Sequence, residues 1–146
     1  MGSYDTGIKT LITLVFFLVF SVTIACSRQP YAGFEGEWVL DVDAVILQVE
    51  SKLQGTVEPA TLTDLRTKLE HERPRLLIRD GTIRMQIESA SMELTHKVKE
   101  KLGSCLVVLV GDSTEVKYCL IGNDVLKQEK VNKSANDIAE IYKRIN

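Results

Sequence analysis

The chain is short of the residues from which active sites are most often built. It has two histidines and three cysteines among 146 residues. His71 and Glu72 lack a second histidine at helical spacing, so they form no metalloprotease motif and belong to a solvated helix end. With so few imidazoles and no clustered thiols, no zinc site is expected. No serine sits in a nucleophile elbow, and no glycine loop is arranged to cradle phosphate. Excess charge of either sign is also absent. Eighteen Lys and Arg face 20 Asp and Glu, for a net charge of -2, which argues against nucleic-acid binding by bulk charge. There are no internal repeats, and beyond residue 26 no apolar run is long enough to span a membrane. These absences predict a non-enzymatic protein without metal or cofactor.

What is present begins with Leu11 to Cys26, LITLVFFLVFSVTIAC. An apolar core of about 15 residues ending on a small side chain has the layout of a secretory signal. Lys9 and Asp5 precede it. Val22-Thr23-Ile24-Ala25-Cys26 resembles the lipobox of bacterial lipoproteins, with Thr23 where Leu or Val is more common. The resemblance implies cleavage after Ala25 and acylation of Cys26. Two or more acyl chains make anchoring stable. Ser27, where Asp would favour inner-membrane retention, implies an outer-membrane lipoprotein facing the periplasm in a Gram-negative cell. The alternative is a secreted domain, or one with an uncleaved anchor, without lipid. The organisation expected is a signal peptide at 1–25, a lipidated tether at 26–35 and one domain at 36–146. About 120 residues then remain, one domain's worth.

Cys105 and Cys119 are left once Cys26 is assigned to lipid. An even pair in an oxidising compartment reads as a disulfide. If the loop between their strands is Gly111–Ser113, Cys105 falls opposite Cys119 and the pair can bridge. A loop of two or four residues would separate them, leaving two buried thiols.

Hydropathy patterning predicts an α+β domain. Trp38-Val39-Leu40 reads as a first strand. Val42, Val45, Ile46, Val49 and Leu53 then share a helical face, with Asp41 or Asp43 as its cap and Gly55 as a stop. Leu62, Leu65 and Leu69 line a second helix, capped by Thr61 and ended by Pro74. After Pro74 the period becomes two. Asp80-Gly81 predicts a hairpin that sets Ile78 against Ile83 and Leu76 against Met85. Further strands follow at 92–99, 104–110, 115–121 and 125–131. A C-terminal helix is expected from Ser134, with Ala135, Ile138, Ile141 and Ile145 as its stripe. The sum is an antiparallel β-meander of about seven strands, curled into a half-barrel or small barrel to avoid long open edges.

Gly36-Glu37-Trp38, opening a strand before an antiparallel meander, resembles the G-x-W start of lipocalin-like proteins. Gly36, Trp38 and Asp41 also resemble the G-x-W-x-x-D of small bacterial lipoproteins. The resemblance implies that Trp38 closes one end of a barrel, and it raises binding of a lipid or small molecule. Helices at 43–72 depart from a lipocalin, which goes straight to its second strand.

Two functions follow. The domain binds an envelope protein or component at the membrane surface, with Arg75, Arg79 and Arg84 as its patch on the first hairpin. Alternatively, it carries a small apolar ligand in the curved sheet, lined by Trp38, Met85, Met92, Leu94, His96, Val116 and Tyr118. His96 shares a face with Met92, Leu94 and Val98, as a hydrogen-bonded core or rim residue or as a ligand contact. Cys26→Ala should abolish acylation and leave the precursor uncut, read by intact mass of the membrane-extracted protein. Normal processing of that variant refutes the lipobox.

Overall fold

Apolar residues at alternate positions turn one face of most strands inward, and the computed structural model shows nine strands among the described residues. It describes residues 30–53, 55–135 and 137–145. The signal peptide expected at 1–25, Cys26 and Ser27 lie outside the described residues. Strand β1 (Gly36–Leu40) is followed by helices α1 (Val42–Lys52) and α2 (Pro59–Glu72). Then come β2 (Arg75–Arg79), β3 (Thr82–Ile87), β4 (Ala90–Glu93), β5 (His96–Leu102) and β6 (Cys105–Val110). Strands β7 (Thr114–Ile121), β8 (Val125–Lys130) and β9 (Glu140–Ile145) complete the chain.

All strands join one sheet in the order β4-β3-β2-β1-β9-β8-β7-β6-β5, with every neighbouring pair antiparallel. The two edge strands are consecutive in the chain, separated only by Leu94 and Thr95. Flat, nine strands about 4.8 Å apart would hold those edges about 38 Å from each other. A two-residue link spans about 10 Å, so the sheet must curl until its edges meet there. Eight antiparallel steps also leave β4 and β5 pointing the same way. Residues 90–102 are thus one continuing run that bonds first β3 and then β6. Leu94 N donates to Ile83 O (2.8 Å) and Gly111 N to Thr95 O (3.0 Å) on either side of the crossing.

Two sequence expectations are corrected. Among the described residues the strands number nine, not about seven, because 92–99 divides into β4 and β5 and because 140–145 is a strand where a C-terminal helix was expected. Residues 140–145 instead fill the slot between β1 and β8, pairing with both. Left empty, that slot would expose two rows of unpaired backbone groups. The strand register turns Tyr142 inward between Leu40 and Leu126, while Ile141 and Lys143 take the other face. Ser134 N does donate to the Asp137 carboxylate (2.8 Å), but the bond closes a turn instead of capping a helix.

Local chemistry explains the other elements. Asp41, rather than Asp43, caps α1, accepting from Ala44 N at 3.3 Å. Pro59 starts α2 two residues before Thr61, and Arg73 ends it in a left-handed conformation before Pro74. The Asp80-Gly81 turn has positive φ at both residues, and Ile78 opposes Ile83 as predicted.

The interior is filled. Trp38, Tyr118, Tyr142, Phe34, Leu76, Ile78, Ile83, Leu106, Val108 and Leu126 are fully buried. Tyr31 and Phe34 are buried too, so residues 31–35 belong to the domain and not to a free tether. That segment seals one end of the sheet. Trp38 Nε1 donates to Phe34 O (2.9 Å). Arg144 lies 4.2 Å from the Trp38 ring centroid and donates to the carbonyls of Gly33 (2.9 Å), Glu35 (2.6 Å) and Asn123 (2.9 Å). The opposite end is covered by α1, whose Val45, Ile46 and Val49 are buried.

Val110 pairs with Thr114 across Gly111–Ser113, Cys105 opposes Cys119, and the two are joined in a disulfide. Alkylation of the unreduced protein should spare both; ready labelling contradicts the bridge. Arg144→Ala should cost about 2 kcal/mol, from lost charge-assisted bonds and the cation–π contact. A urea midpoint equal to that of the parent would remove Arg144 from the list of end-sealing residues.

Candidate ligand-binding site

The helix-covered end is not packed solid. Helix α2 buries none of its residues, and its Leu62, Leu65 and Leu69 stripe is only half-buried. It rests on α1, to which Arg66 ties it by an ion pair with Asp43. Arg66 holds the Asp43 carboxyl below its ordinary value. Beneath this roof lies a cavity of about 340 Å³. Val45 and Val49 of α1, Leu65 and Leu69 of α2, and Leu40, Met85, Ile87 and Tyr142 of the sheet line it. Pro74 and Ile138 complete the apolar wall, and Glu140 is the one charged residue of that lining. The floor is pinned to α1, because Gln48 Nε2 donates to Ala139 O (3.0 Å) and Lys52 Nζ to Asp137 O.

A polar cleft of about 280 Å³ adjoins it and shares Ile138 and Glu140. Gln128, Glu129, Lys130, Lys133 and Asp137 contribute to its walls. Glu140 Oε2 accepts from the Tyr142 hydroxyl and from Gln128 Nε2 (3.1 Å). The Gln128 Oε1 atom is buried and has no hydrogen-bond partner. Burial first, then the Glu140 charge, pushes the Tyr142 and Tyr118 hydroxyls well above the ordinary tyrosine value. Both therefore stay protonated, and Tyr142 donates to the carboxylate.

The seven residues expected to line a ligand do not line one cavity: five of them, Trp38, Met85, Leu94, Val116 and Tyr118, belong to or pack against the filled core. Met85 is on the cavity wall and Val116 on the polar cleft. Trp38 and Tyr118 are packed in the core, and Leu94 packs against it. Met92 is 59% exposed on edge strand β4. His96 is satisfied by its neighbours: Nε2 meets the Tyr31 hydroxyl and Nδ1 the Leu94 carbonyl (2.7 Å). The arginines lie on the outer face of β2 and β3. Arg75 pairs with Glu37 (2.9 Å) and Arg84 with Glu93 (3.2 Å), while Arg79 is exposed.

Sequence reasoning missed Leu40, Glu140, Tyr142 and Gln128 as site residues. The apolar stripes of both helices were readable, but not what they enclose. Glu140 and Tyr142 were hidden by the helical reading of the C-terminus. Among the described residues no three His, Cys, Asp or Glu side chains gather as a metal site, and no helix is long and apolar enough to cross a membrane. No protein-family model matches the chain, and no curated protein matches it significantly.

Glu129 lies against Lys133 (2.7 Å), Lys127 (3.0 Å) and Lys117 (3.4 Å). The Lys133 bond leads in lowering its carboxyl from 4.5 to about 2. A carboxyl depressed by folding stabilises the native state above its unfolded value and loses that contribution as pH falls through the folded one. Glu129→Gln should therefore be less stable at neutral pH, and its stability should fall less steeply between 4.5 and about 2. Denaturant melts across that range, with parent and variant in parallel, would refute this if the slopes match.

Proposed function

We propose that this chain is a non-enzymatic envelope protein, anchored through lipid on Cys26, whose domain holds a small apolar ligand beneath its helical roof. The observation that carries the reading is the apolar cavity between α1, α2 and the end of the sheet. Small-molecule sites are typically concave, largely apolar and furnished with a few placed polar groups, with volumes of about 300–1,000 Å³. This cavity has that composition and lies near the lower bound, which suits a short chain or a single ring. Because the interior of the curled sheet is filled, this reading sets the ligand at the helix-covered end. The partner-binding reading is weaker. Two of its three arginines already face carboxylates, as expected of a charged face that keeps a sheet soluble.

The roof supplies the test. Leu65 sits on a helix with no buried residue, so Leu65→Trp should fill the cavity at little cost to the fold. In the full chain in lipid nanodiscs, hexanol should shift the Met85 and Ile138 methyl resonances saturably and leave exposed Met92 unmoved. The tryptophan variant should lose that response. A parent protein that shows no saturable shift at Met85 or Ile138 overturns the proposal.

A further inference from the structure

Two acceptors stand where the apolar cavity meets the polar cleft, the Glu140 carboxylate and the Gln128 Oε1 atom. Among the described residues Glu140 takes hydrogen bonds from two neutral groups, the Tyr142 hydroxyl and the Gln128 amide. Among the described residues no lysine, arginine or histidine lies within ion-pair distance of it. Gln128 cannot relieve its orphan oxygen by turning over, because that would set the oxygen against the carboxylate and remove the Nε2 donor. Its amide orientation is therefore dictated by Glu140, and Oε1 is left buried without a partner. A carboxylate without a cation and a buried carbonyl without a donor thus lie side by side, at the junction of the apolar cavity and the polar cleft.

We infer that the site takes an amphipathic amine, with its short apolar body under α2 and its ammonium head between Glu140 and the Gln128 carbonyl. The inference rests on the binding reading above and names the ligand's chemistry. An ammonium group brings three donors and a positive charge, which satisfies both acceptors at once. A hydroxyl head supplies one donor and no charge. A carboxylate head would face Glu140 with like charge. Of the lysines on the cleft rim, Lys133 is held by Glu129, so Lys130 would be left to attract such a head.

Hexylamine, hexanol and hexanoate, of equal chain length, separate these cases in the nanodisc-embedded full chain at neutral pH. The Met85 and Ile138 methyl shifts give an affinity for each. The amine should bind about tenfold tighter than the alcohol, the scale of one charge-assisted hydrogen bond. Glu140→Gln, which keeps an acceptor for Tyr142, should bring the amine down to the alcohol. Gln128→Met should lower the amine's affinity and leave the alcohol's nearly unchanged. Equal binding of all three heads, or an amine preference that survives both substitutions, overturns the inference and leaves the apolar cavity standing. A preference for hexanoate overturns it in favour of Lys130. Absence of any saturable shift overturns the binding reading itself.

Discussion

The two-residue link between β4 and β5 is the constraint from which the rest of the architecture follows. Leu94 and Thr95 join opposite edges of a nine-stranded sheet, and no flat arrangement can satisfy so short a connection. Curling is then obligatory, and curling creates an inside. Strand alternation fills that inside with Trp38, Tyr118, Tyr142 and the aliphatic side chains around them. The β4–β5 run bonds one neighbour with its first half and another with its second. Each half remains an edge strand, with one strand partner.

The ends of the curled sheet are closed in different ways. One end is sealed by residues 31–35, held by Arg144 across three carbonyls and the face of Trp38. Every partner in that seal is satisfied, and Phe34 is fully buried. The other end is covered by a helical pair of which only the first member is buried. Helix α2 packs on α1 and buries none of its residues, and the cavity lies between the two helices and the sheet. One end is closely packed and the other keeps a cavity. Buried polar groups obey the same division. Trp38 Nε1 is paired at the sealed end, whereas Gln128 Oε1 is orphaned at the covered one.

Much of the fold was legible in the residues. The Asp80-Gly81 hairpin, the three-residue loop at Gly111–Ser113 and the opposition of Cys105 and Cys119 depend on local register, and local register is written in turn chemistry. The C-terminal segment was not legible. Isoleucines at 138, 141 and 145 fit a helical stripe, and alternation around Tyr142 fits a strand equally well. What decided between them was the vacancy between β1 and β8, which exists only after the sheet has assembled. The seal at 31–35 escaped for a similar reason. Its residues have no periodicity, and Tyr31 and Phe34 are buried by partners far away in sequence.

The sequence by itself determined the apolar run from Leu11 to Cys26, the two helical stripes and the alternation of the strands, and it offered the opposition of the cysteines as one of two outcomes, because each depends on residues close together in the chain or across one turn. Only the tertiary structure decided that residues 140–145 form a strand, that the interior of the curled sheet is filled and that Glu140, Gln128 and Tyr142 meet where an apolar cavity adjoins a polar cleft. Those outcomes depend on backbone groups that must be paired and on volumes left between elements distant in the chain. No local pattern encodes a volume of that kind.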